Sequence, residues 1–203
     1  MQEKLVREVL KGVRLLHLAG GESFASKLHM HLLTSIDCMQ YPDMKILIQT
    51  NGLLITPETE RISGIRDAIK YISISIDAAN PETYRELRRG GDFDQLIKNM
   101  EFIASLRIKG KLERLEFSFV VQRRNYSEMK QFIDMGKKYG VDAVSFTRIY
   151  NRASESEEEF LAKAIHDKNN LEHQRFLDII RDPVFKDPIV IMNNLSDFLR
   201  DEK

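Results

Sequence analysis

Residues 71–91 read YISISIDAANPETYRELRRGG. The run Tyr71–Ile76 is apolar, aromatic and β-branched, which is strand composition. A carboxylate, Asp77, follows it directly. Asn80-Pro81-Glu82 then carries a helix start, with an N-capping side chain and proline in the first turn. Arg88-Arg89-Gly90-Gly91 closes the stretch and either ends that helix or holds an anion. Short apolar runs of the same kind lie at Val13–Leu18, Lys45–Gln49, Leu115–Val121 and Ala143–Arg148.

Helical patterns separate these runs. Phe24–Ser35 has apolar residues at helical spacing, and Thr56-Pro57 repeats the start signal. Phe93–Arg107 and Ser127–Lys138 are amphipathic, and Gly140 follows the second as a stop. Strand–helix alternation at about 25–40 residues per unit predicts parallel strands joined by right-handed crossovers. Such strands are covered on both faces, which predicts continuous apolar runs. Glu3–Leu10 reads as a helix, so the chain opens on a helix. After Arg148 the pattern changes: Glu155–Ala164 and His173–Ile180 read as helices around a polar turn, Asp167–Glu172. Two Asp-Pro dipeptides then break it. The expected division is an α/β core over 1–150 and a helical C-terminal extension over 151–203.

The 203 residues, 42% apolar, are enough for one sizeable core. Lys and Arg number 31 and Asp and Glu 31, so the formal net charge is zero. That balance argues against a global grip on nucleic acid or on a membrane. No apolar run approaches the roughly 20 residues of a membrane span, and the N-terminus lacks the apolar stretch of a secretory signal. The single cysteine, Cys38, excludes an internal disulfide framework and implies a reducing, cytoplasmic setting. One thiol also cannot supply a structural zinc site or an iron–sulfur cluster.

In parallel α/β folds, ligands bind beyond the carboxyl ends of the strands. Those ends carry Ala19-Gly20-Gly21-Glu22, Thr50-Asn51-Gly52, Ser75-Ile76-Asp77, Gln122-Arg123-Arg124-Asn125 and Arg148. Adjacent glycines let a backbone approach a ligand, and carboxylates take an ammonium group or ribose hydroxyls. With no phosphate-cradling G-x-x-x-x-G-K-[ST] loop, a zwitterionic or nucleoside ligand fits this rim better than a polyphosphate. Each piece alone also reads as ordinary structure: Gly-Gly and Asn-Gly as turns, Ser-x-Asp before Asn-Pro as capping. The joint placement favours a site. His17, His29, His31, His166 and His173 form no metal pattern, Glu157–Glu159 reads as a solvated helix face, and Cys38 as a small buried residue.

HLAGGES (17–23), IQTNGLLIT (48–56), ISISIDAANPETYRELRRGG (72–91) and FVVQRRNYSEM (119–129), in this order and spacing, resemble the radical S-adenosylmethionine enzymes. The likeness is in particular to members with a partial (β/α)6, TIM-like barrel and a SPASM or twitch domain. It covers about Val13 to Ile149. The resemblance implies that Gly20, Gly21 and Glu22 hold the methionine ammonium of S-adenosylmethionine. It implies that Ser75 and Arg88 contact the carboxylate and that Asp77 is a polar wall near the ribose. Asn51 would lie on the strand-end rim, and Val121 and Asn125 would line the adenosine side. The family's proline after Gly-Gly-Glu is Ser23 here.

The family also carries C-x-x-x-C-x-x-C on the loop after its first strand, where three thiolates hold a [4Fe–4S] cluster. This chain has neither the motif nor, by its pattern, that strand. The expectation is therefore a truncated core that does not ligate the cluster and is not catalytic alone. The alternatives are a cluster-free nucleoside or S-adenosylmethionine binding module, or a remnant fold without a ligand. A missing first strand would leave Val13–Leu18 as an exposed sheet edge, which predicts self-association. The small-molecule or peptide substrate is not legible, because fold does not name function.

Overall fold

Alternating apolar residues make the strands, and their register makes the sheet. The structure, a computed structural model, describes residues 8–36, 40–62, 68–151 and 155–199. The strands are β1 (Leu15–Leu18), β2 (Lys45–Thr50), β3 (Ile69–Ser75), β4 (Arg114–Val121), β5 (Ala143–Arg148) and β6 (Val190–Ile191). The helices are α1 (Lys27–Ser35), α2 (Pro57–Ile62), α3 (Pro81–Leu87), α4 (Phe93–Ile108), α5 (Met129–Lys138), α6 (Glu157–Lys163) and α7 (His173–Ile180). Hydrogen-bonded neighbours run β1-β2-β3-β4-β5-β6, in sequence order. The registers Leu15↔Lys45, Ile48↔Ile72, Phe119↔Phe146 and Val144↔Val190 are all parallel. This is the expected α/β class.

The differences from the sequence reading have local causes. β1 starts at Leu15 and not Val13, because the Val13 N–H is spent in a turn on Leu10 O at 3.1 Å. α1 starts at Lys27, where Ser26 Oγ accepts from His29 N. Tyr126–Glu128 is a 3₁₀ turn before α5. β2, β3 and β4 are not buried on both faces as expected: buried and half-buried residues alternate along most of each, and β5 alone has a continuous buried run. The C-terminal segment is not only helical. After the second Asp-Pro it supplies β6, two residues long, too short for any periodicity to show. Of the helix read at Glu3–Leu10, residues 8–10 are helical and the rest lies outside the described residues, as does Cys38.

The chain divides into two compact units, residues 1–74 with 95–115 and residues 75–94 with 116–203. In the first, α4 presents Leu96, Asn99, Met100 and Ile103 at helical spacing, all buried. Ile46, Ile48, Ile72 and Ile74 are buried there too. In the second, Phe119, Phe132 and Phe146 pack edge to face, with centroids 4.7–6.0 Å apart. Helix α5 lies close against its strand: a Cβ on Gly136 would stand 2.3 Å from Val144 Cγ2.

Candidate functional site

The first unit builds its rim around one carboxylate. Beyond β1, Gly20 (φ +93°) and Gly21 (φ +68°) take left-handed backbone, which a side chain resists. This sharp path turns Glu22 toward the end of β2. Its Oε1 accepts from Thr50 Oγ1 at 2.8 Å and from Phe24 N at 3.2 Å. Its Oε2 accepts from Asn51 N at 2.7 Å and lies 3.0 Å from the same Thr50 hydroxyl. Thr50 accepts in turn from Gly52 N at 3.0 Å, so its hydroxyl hydrogen is directed at Glu22. Ser23, buried, donates to Gln49 O. Gly20, Gly21, Glu22 and Asn51 thus lie in one unit. Asn51 Oδ1 accepts from Leu53 N, which closes the turn.

Two residues that hold this rim were not singled out from sequence. Thr50 is 2% exposed and sits on the same strand face as Ile46 and Ile48. Asn99, buried on the apolar stripe of α4, donates to both Gly52 O and Leu53 O at 2.9 and 2.8 Å. The signal was available in each case: a polar side chain at an apolar register position must be hydrogen-bonded. Gly52 is required there, since its φ is +79° and a Cβ would meet Ile74 and Leu96 at about 3 Å.

The second unit builds its rim around an ion pair. Asp77 stands just beyond β3 with φ +65°, a left-handed conformation that aspartate tolerates better than most residues. It is 8% exposed. Its Oδ1 accepts from Val120 N at 2.7 Å, and its Oδ2 pairs with Arg88 Nη2 at 2.7 Å. Asn125, fully buried, donates to Asp77 O and Val120 O, both at 2.9 Å, and accepts from Gln122 N. Its side chain is therefore spent clasping the ends of β3 and β4. Glu128, also buried, accepts from Ala79 N at 2.7 Å. Ser75 Oγ lies 3.1 Å from Ser118 Oγ, and Val121 is fully buried at the end of β4. Ser118 and Glu128 carried no sequence signal beyond their places on a strand and after a loop.

Burial raises the Asp77 pKa above its ordinary value, against the opposing pull of Arg88 and of the Val120 N–H. Arg88-Arg89-Gly90-Gly91 ends the helix, and its Arg88 also pairs with the Asp77 carboxylate. Arg88 N bonds to Tyr84 O, Gly90 has φ +78°, and a Cβ on Gly91 would strike the Tyr84 ring at 2.7 Å. That ending seats the Arg88 side chain. One guanidinium nitrogen meets Asp77, while Nε is buried with no hydrogen-bond partner.

Two groups are implied by the family resemblance, and the residues fit only one. Glu22 offers about four acceptor positions, and Phe24 N, Asn51 N and Thr50 Oγ fill three. One acceptor remains for an ammonium, and the Arg88 Nε–H awaits an anion. Taken separately, the Glu22 acceptor fits an ammonium and the Arg88 N–H fits an anion, the two kinds of charge that S-adenosylmethionine carries. A [4Fe–4S] cluster does not, because the chain has one cysteine against the three or more thiolates required. Among the described residues, no three His, Cys, Asp or Glu group as metal ligands. No helix among them is long and apolar enough to cross a membrane.

The parallel sheet with its helices makes this an α/β protein, a class in which ligands bind beyond the strand ends. The radical SAM superfamily profile matches residues 2–136, and the chain belongs to that superfamily. GTP 3',8-cyclase of Alkaliphilus metalliredigens is 35% identical over 92 residues, which are 44% of this chain and 27% of the relative. GTP 3',8-cyclase of Clostridium botulinum is 26% identical over 139 residues, 65% of this chain and 40% of the relative. The chain thus spans less than half the length of these curated relatives. Streptococcus suis SuiB bound to S-adenosylmethionine superposes with a TM-score of 0.62 at 18% identity, over 94% of this chain and 41% of that one. The anSMEcpe structure with bound AdoMet gives 0.60 at 20% identity, over 93% and 50%. These structural likenesses establish the fold.

Proposed function

We propose that this chain is the S-adenosylmethionine-binding core of a radical SAM enzyme and is not catalytic by itself. The observation that carries the reading is the Glu22 carboxylate, held by Thr50, Asn51 and Phe24 with one acceptor position left behind two left-handed glycines. In the first unit Glu22 is the group for the ligand ammonium; in the second, Arg88 and Ser75 are the groups that the resemblance assigns to a carboxylate. Asn51, Val121 and Asn125 shape the strand ends that face the nucleoside. In the family, a [4Fe–4S] cluster supplies the electron for reductive cleavage of S-adenosylmethionine, and this chain's thiol count does not fit it.

Titration calorimetry of the chain with S-adenosylmethionine tests the reading. Binding is expected to be weak, because the protein groups act without the cluster. Glu22→Ala and Arg88→Ala should each lower the affinity about 10-fold or more, the value of a charge-assisted hydrogen bond. Micromolar binding that survives both substitutions sinks the assignment.

The thiol count favours one further reading, a cluster-free binding module. Tight binding that both substitutions abolish supports it. Anaerobic reconstitution with iron and sulfide separates the two cases from a third. Several irons per chain and a broad visible band after desalting would show that the cluster is bound after all.

A further inference from the structure

We propose that Arg148, His166 and His173 form a binding site for a tetrahedral dianion, a group of the phosphate class. The inference stands apart from the S-adenosylmethionine reading, and all three residues lie in the second unit. Arg148 is the last residue of β5, and its backbone N–H is fixed by Asn194 Oδ1 at 2.9 Å. Its guanidinium has no hydrogen bond or ion pair among the described residues. His166 follows α6, and His173 opens α7. Phe160 packs edge to face on His166, with centroids 6.2 Å apart, and Phe198 on His173 at 6.1 Å. His173 Nδ1 lies 2.9 Å from Ile165 O, an acceptor, so that nitrogen carries the proton. His166 Nδ1 is buried without a partner, which puts the proton of the neutral ring on Nε2. In each ring Nε2 is the nitrogen left to meet a ligand.

The three basic groups act on one another. Burial lowers the His166 pKa, and the charges of Arg148 and His173 lower it further, against the opposing pull of Asp167. Neither carboxylate of the turn between the histidines pairs with Arg148. Asp167 accepts from Asn169 N at 2.8 Å, and Glu172 takes Arg123 at 2.7 Å and the Tyr126 hydroxyl at 2.8 Å. Like charges gathered without a counter-ion cost free energy, and a bound anion removes that cost. A guanidinium fork suits the oxygens of a tetrahedral anion. Arginine and two imidazoles that can take protons, set against Asp167, favour two negative charges over one.

The test is a titration of the full chain, labelled with nitrogen-15, followed by NMR of the histidine side chains. Sulfate is the probe, since its charge stays constant between about pH 5.5 and 8, the range over which histidine titrates. Acetate at equal ionic strength is the singly charged comparison. Sulfate should shift the His166 and His173 signals saturably and leave His17, exposed in the first unit, unmoved. A dianion beside His166 favours its charged form, so sulfate should raise the His166 pKa and bind more tightly as the pH falls. Acetate should bind about 10-fold more weakly or worse, and Arg148→Ala should lower the sulfate affinity about 10-fold. Any one of four results overturns the proposal: no saturable shift, an equal shift at His17, acetate binding as tightly as sulfate, or sulfate binding indifferent to Arg148→Ala. Thermal melting checks that the variant folds. If it does not, the wild-type measurement decides alone: a His166 pKa raised by sulfate supports the site, and an unchanged one sinks it.

Discussion

The two rims solve opposite problems with the same residue type. Glu22 in the first unit is held by two backbone N–H groups and a hydroxyl, with no cation among the described residues. An acceptor position is left over. Asp77 in the second unit is buried and ion-paired, with one contact on each oxygen, and its partner Arg88 keeps a buried N–H without a partner. One rim therefore offers an acceptor to a cation, and the other offers a donor to an anion. The same contrast separates the two in energy. Glu22 is half-buried and can be rehydrated, whereas Asp77 cannot be removed without stranding a guanidinium and a backbone N–H.

The largest expected effect follows from that contrast. Asp77→Ala should destabilise the fold by about 3 kcal/mol, because it removes the buried carboxylate of an ion pair, leaves the Val120 N–H unbonded and places alanine on left-handed backbone. Glu22→Ala should cost about 1 kcal/mol, the value of its lost hydrogen bonds net of water. Urea denaturation of both variants measures the difference. Equal losses would erase the distinction between a structural and a ligand-facing carboxylate.

A smaller effect appears with pH. Burial raises the Asp77 pKa in the folded chain, so the native state holds that proton more tightly than the unfolded chain does. The contribution to stability is complete below the unfolded value, near 3.8, and is lost as pH rises through the raised native value. Relative to Asp77→Asn, the wild type should become less stable across that interval. A difference that grew with pH would mean that the Arg88 attraction outweighs burial.

The smallest effect concerns association. β1 pairs with β2 and stands at the end of the strand order, and Leu15 on it is 52% exposed. An open edge is a template for pairing with a second chain. We propose that the chain self-associates through residues 13–18. Sedimentation velocity across a wide concentration range should show a dimer or larger species, reduced by Leu15→Lys. A monomer throughout, with slow amide exchange along β1, would count against it.

Much of the fold was legible because strands and helices of ordinary length carry their periods openly. Tyr71–Ile76 predicts a strand, and β3 is Ile69–Ser75; His173–Ile180 predicts α7 to the residue. β6 was not legible, since two residues, Val190–Ile191, have no period, and their strand state depends on pairing with Val144 and Ser145. Among candidate residues, Gly20, Gly21, Glu22 and Asn51 were readable from their place after a strand. Asn125 was picked by position, but its three hydrogen bonds show a clasp between strand ends. Thr50 was quoted only as part of its strand end and Asn99 not at all, because their partners lie 28 and 46–47 residues away along the chain.

By itself the sequence determined the strand–helix alternation, the left-handed glycines, the capping residues and the thiol count, all of which depend on local sterics or on composition. Only the tertiary structure decided which carboxylate was paired and which was left with an acceptor to offer. Asp77 and Glu22 are the same kind of residue at equivalent strand ends. The difference between them comes from what is folded against each: a guanidinium 11 residues downstream for Asp77, and a hydroxyl and two N–H groups for Glu22. Burial and partner charge are properties of the assembled surroundings, and no local pattern encodes them.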